Sequence, residues 1–126
     1  MILNPCDIED DLIAKVTTLG YATYNAIPIT VPANNAPFFV VSADTKIQDM
    51  NAYYFTTISL MVFVYNNGGF KNDKKIKIMI NAINTIFPFS SNLCNYDVNP
   101  TIVPMGKTTD GYFVNTILID TVIKKK

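Results

Sequence analysis

Residues 53 to 87 constrain the fold more than any other stretch of this 126-residue chain. Tyr53 to Tyr65 (YYFTTISLMVFVY) is dense in β-branched and aromatic residues, which suit a pleated, half-buried surface. At ~3.3 Å per residue such a strand runs roughly 40 Å, about twice the usual length. An Asn66-Asn67-Gly68-Gly69 turn follows, and then an amphipathic helix is expected over Asp73 to Phe87, ended by Pro88. That helix rises ~1.5 Å per residue and spans only about 22 Å. It cannot cover the strand alone. The strand must bend, or part of it must stand out from the domain and pair with something else.

The long strand sorts into two faces. Ile58, Leu60, Val62 and Val64 share one, which should meet the helix. Thr57, Ser59, Met61, Phe63 and Tyr65 share the other, a mixture expected either of a subunit interface or of a surface covered by a loop. On the helix, Ile76, Ile80, Ile83 and Phe87 fall in a narrow arc with Met79 and Ile86 beside them. Ala82 and Ile78 widen the apolar arc to roughly 200°, twice the stripe of an ordinary surface helix. One flank is expected on the sheet, the other on the first helix, a neighbouring subunit, or both.

That first helix is opened by Asn4 as N-cap with Pro5 at its first position, where a missing N–H costs nothing. Ile8, Leu12, Val16 and Leu19 form its stripe, and Gly20 closes it. Asp7, Glu9, Asp10 and Asp11 are read as solvated charge complementing the helix dipole, not as a metal site. Tyr21 to Pro37 holds three prolines and is expected to be irregular or at a sheet edge. Phe38 to Ser42 is a short strand, joined through the polar Ala43 to Ala52 to the long one as an antiparallel hairpin with an extended tip. Tyr96 to Val103 and Tyr112 to Ile123 form a second pair. The order is helix, hairpin, helix, hairpin: an α+β domain whose antiparallel sheet has two long strands and helices packed on one face.

Composition removes whole classes of function. The chain has no His, Trp or Arg; ten Lys balance ten acids. Without His, the usual proton carrier near neutral pH is missing, and without Arg there is no bidentate fork for phosphate. A zero net charge argues against gripping free DNA or RNA. Cys6 and Cys94 are far apart, with neither a C-x-x-C pair nor a His to complete a zinc set. Gly106-Lys107-Thr108 ends like a phosphate-binding loop, but Thr101 stands where the pattern needs Gly, and the segment lies between strands. Asp44 and Asp49 sit in a polar connection without an apolar pocket to raise a pKa. The expectation is no enzyme, no cofactor, no metal and no catalytic residue. The opening MILNPCDIEDD has neither a basic n-region nor an apolar h-region, and no apolar run approaches the ~20 residues of a membrane span. A protein made in the cytoplasm, with no membrane partner, is expected. The low charge, 16% of residues, lowers the desolvation cost of burying surface against partners.

The layout resembles the tail-terminator or head–tail completion family of bacteriophages. Asp11-Leu12 on the first helix, Ala36-Pro37-Phe38-Phe39-Val40-Val41, Ser59 to Tyr65, the helix Asp73 to Phe87 and the closing strand Gly111 to Ile123 carry the resemblance. It implies one such domain over residues 1–126, packed into a ring of the virion neck, six-fold rather than twelve-fold. It also implies adjacent neck and tail proteins as partners, and DNA only as passing cargo. The expected subunit interface comprises Met61, Phe63, Ile78 and Ile86. Lys46, Ile47, Asp49 and Met50 are expected on a partner-docking loop, as apolar side chains on a polar projection. The alternative is a small monomeric or dimeric ligand- or partner-binding module.

Overall fold

A computed structural model describes residues 3–30 and 32–125. The elements in chain order are α1 (Pro5–Val16), β1 (Ala22–Tyr24), β2 (Phe38–Ser42), β3 (Gln48–Asp49), β4 (Tyr53–Tyr65), α2 (Asp73–Ile86), β5 (Phe89–Ser90), β6 (Cys94–Lys107) and β7 (Tyr112–Lys124). The strands form one curled sheet, a half-barrel, in the order β1-β2-β4-β7-β6-β5, with β3 also paired to β4. Local chemistry sets the helix starts. The Asn4 side chain accepts from the Cys6 N–H at 3.0 Å, and that of Asn72 accepts from the Lys75 N–H at 3.2 Å.

β4 and β7 pair over all thirteen residues, from Tyr53↔Lys124 to Tyr65↔Tyr112. Because partners in an antiparallel ladder share a face, Ile58, Leu60, Val62 and Val64 lie with Ile117 and Ile119. This face forms the main core with Ile8, Leu12 and Val16 of α1, Ile76, Met79 and Ile83 of α2, and Phe39 and Val41 of β2. The sheet thus bends around two short helices, which resolves the mismatch of lengths.

Three expectations need correction. The sheet is mixed, since β1 runs parallel to β2 (Ala22↔Phe38 to Tyr24↔Val40). It has three long strands, because β6 continues to Lys107, well past Val103. Two register shifts, between Val98 and Ile102 and between Pro104 and Gly106, let β6 carry its prolines; Gly106 supplies φ 85° at the second. The Ala43 to Ala52 connection has no extended tip. It folds back as β3, with Gln48↔Phe55 and Asp49↔Tyr54, and the buried Thr56 hydroxyl donates to Thr45 O at 3.2 Å. A polar connection can be pinned by main-chain pairing, which side-chain pattern does not display.

Candidate functional site

The densest polar cluster joins α1 to the start of β6. Asp11 Oδ2 accepts from the Ser91 hydroxyl at 2.5 Å and from the Tyr96 hydroxyl at 2.6 Å. Ser91 Oγ in turn accepts from the N–H groups of Leu93 and Cys94, and Lys124 Nζ donates to Ser91 O at 2.6 Å. Burial first, and the bond to Asp11 second, push the Tyr96 phenol far above its usual range; burial also pushes the Cys94 thiol up. Both keep their protons at neutral pH, so neither is a ready nucleophile. The cluster acts as a tie between layers. Asp11 is therefore engaged, and Glu9 accepts from the Ala43 N–H at 2.7 Å, so two of the four α1 acids are structural ties and not solvated charge. Asp7 and Asp10 are exposed.

The opposite face of the sheet divides into a sealed end and an open end. At the first, Phe38, Val40, Phe63, Tyr112 and Val114 form a second buried cluster. Phe38 stacks on Phe63 with ring centroids 4.5 Å apart, and Tyr112 meets Phe38 edge-on at 5.2 Å. The proline-rich crossing closes over it: Ile27, Pro28 and Pro32 line the same small gap as Phe63 and Tyr112, and the Tyr112 hydroxyl donates to Ala36 O at 3.1 Å. Toward the other end lies an open cleft of about 510 Å³, lined by Pro88, Phe89, Ser90, Asn95, Tyr96, Asp97, Asp120 and Val122.

The four residues expected at an interface separate. Phe63 is 2% exposed and sealed within its own chain. Met61 is half-buried against the aromatic cluster, and Ile86 is partly buried against the main core. Only Ile78, 47% exposed, offers a largely free side chain. The expected docking loop is not a projecting apolar pair. Ile47 packs against the main core, whereas Met50, at the β3–β4 turn where its N–H donates to Tyr53 O at 2.8 Å, keeps a side chain 45% exposed. Asp49 pairs with Lys125 at 2.7 Å, and that bond holds its carboxyl below the ordinary range. Lys46 is exposed.

An apolar exposure unforeseen in the sequence runs along β6. Ile102, Val103 and Met105 are exposed, Met105 by 62%. β5 pairs only with Asn95 and Tyr96, so from Asp97 onward β6 has a neighbouring strand on one side only among the described residues. Pro100 and Pro104 have no N–H to offer, and the two register shifts kink the edge. That blunts strand addition and leaves side chains as the means of contact. The apolar run Thr101 to Met105 was the available signal, flanked by Pro100 and interrupted by Pro104. Among the described residues, no three His, Cys, Asp or Glu side chains cluster as metal ligands would, and no helix is long and apolar enough to cross a membrane. No protein-family model matches the chain, and no curated protein matches it.

Proposed function

We propose that this chain is a non-enzymatic structural subunit of a ring in the bacteriophage head–tail neck, a tail terminator or connector-completion protein that joins capsid connector to tail. The observation that carries this reading is the uncovered strip Ile102, Val103 and Met105 on a strand edge that the chain's own elements leave bare. An apolar strip on a low-charge surface suits burial against other subunits. The resemblance in layout supplies the ring and its place in the virion. A neutral chain without arginine fits a channel through which DNA passes without being held.

Size-exclusion chromatography with light scattering, followed by negative-stain imaging, tests this. A closed ring of six subunits is expected, and Ile102→Ser with Met105→Ser should reduce assembly while the subunit stays folded. A monodisperse monomer at every concentration tried would overturn the ring. It would favour a second reading, a small partner-binding module, whose supporting observation is the open cleft at Asp97 and Asp120.

A further inference from the structure

We propose that the cleft at Asp97 and Asp120 is a socket for the outer face of α2, with Lys74, Lys77 and Ile78, from a second copy of this chain. The inference rests on the ring reading and names the contact that would build the ring. Asp97 and Asp120 are direct partners across β6 and β7. Like charges facing each other in a ladder destabilise it unless a cation lies nearby. Neither makes an ion pair among the described residues, where Lys125 with Asp49 is the pair found. Val122, which shares their face, and Pro88 give the cleft apolar walls, and Phe89, the ladder partner of Tyr96, lines it from the helix-bearing side. The cleft thus asks for a ligand with positive charge around an apolar centre.

The chain carries such a ligand. Lys74, Lys77 and Ile78 are spaced i, i+3 and i+4, so they share one side of α2, and all three are exposed. Neither lysine meets an acid among the described residues. Ile78 would enter the apolar part of the cleft while the two ammonium groups reach the two carboxylates. Lysines 75 and 15 are already engaged at home, Lys75 Nζ with the Tyr21 hydroxyl at 3.2 Å and Lys15 over the Phe89 ring.

Placement decides the symmetry. Tyr96 and Thr121 are partners on the helix-bearing face, so Asn95, Asp97, Asp120 and Val122 point to the other face. The two carboxylates of the socket and the plug on α2 thus lie on opposite sides of the sheet. One chain cannot bring them together, and a two-fold pair would have to present both layers to the same partner at once. The contact is therefore heterologous, head to tail, and its repetition closes a ring or runs on as a filament.

Charge reversal tests the pairing on the full chain, with oligomer mass read by mass photometry. Asp97→Lys with Asp120→Lys, and separately Lys74→Asp with Lys77→Asp, should each weaken assembly on the order of 100-fold. Mixed in equal amounts, the two variants should assemble again, alternating around an even-numbered ring. Asp7→Lys with Asp10→Lys, on α1, should assemble as the unaltered chain does. Circular dichroism melts establish that each subunit is folded. If both reversals assemble normally, or if the mixture fails to recover, the socket is wrong while a ring formed by the unaltered chain still stands. If the unaltered chain never assembles, the ring reading and the socket fall together.

Discussion

Met61 of β4 and Val103 of β6 flank the same residue, Thr116 of β7, and all three point to the face away from the helices. Two residues along from Met61, Phe63 is only 2% exposed, while Val103 is 39% exposed. The strands are of similar length, 13 and 14 residues, but β4 pairs with β7 without a break while β6 carries two register shifts. β4 lies between β2 and β7, and Ile27, Pro28, Pro32 and the Tyr112–Ala36 bond close over its Phe63 end, whereas β6 past Tyr96 has a neighbouring strand on one side only among the described residues. Nothing comparable crosses β6 among the described residues. An apolar face is thus core or contact surface according to whether a distant segment returns to cover it.

The sharpest way to break this contrast is to truncate matched residues at the two ends. Phe63→Ala should cost about 3–5 kcal/mol, as removal of a stacked, fully packed aromatic does. Val103→Ala should stay within about 0.5 kcal/mol. Urea unfolding followed by circular dichroism reads both, and equal losses would show that the β6 strip is covered after all.

The tie between α1 and β6 comes next in size. Asp11→Ala strands two hydroxyls, Ser91 and the almost wholly buried Tyr96, and should cost about 1–3 kcal/mol. Tyr96→Phe in the Asp11→Ala background should then restore part of the loss, because it removes one stranded donor. Additive losses would mean that the two groups are not coupled.

The two thiols give a contrast in rate at no cost to stability. Cys6 is exposed and Cys94 buried with its thiol pushed up, so native protein should take up one equivalent of an alkylating reagent quickly and the second only on unfolding. Mass spectrometry of the labelled peptides decides which residue reacted.

The smallest effect belongs to Asp49 and Lys125. The Asp49 carboxyl is held low first by Lys125, so whatever the pair adds is present at neutral pH and fades as pH falls through the lowered pKa. Lys125→Met should let that pKa climb back toward the ordinary aspartate range in an NMR titration, with a change in melting temperature close to the noise, because the pair is exposed to screening.

Much of the frame was legible locally. Asn4-Pro5 and Asn72 started the helices, Pro88 stood just past the end of α2, and β2 and β4 occupy the residues that their β-branched and aromatic runs indicated; α1 itself stops at Val16, and Gly20 closes the 3-10 turn Thr17–Leu19 that follows it. The face Ile58, Leu60, Val62 and Val64 meets α2 as period-two alternation required. What needed the tertiary structure was every relation between distant segments. The parallel start at β1, the folding back of Gln48–Asp49 and the burial of Phe63 each depend on main-chain pairing or on coverage by another part of the chain. The meeting of Asp97 with Asp120 depends on a register that two irregularities in β6 reset. Periodicity is a property of a segment and can be read there. Coverage and register belong to pairs of segments, and they exist only once the chain has closed on itself.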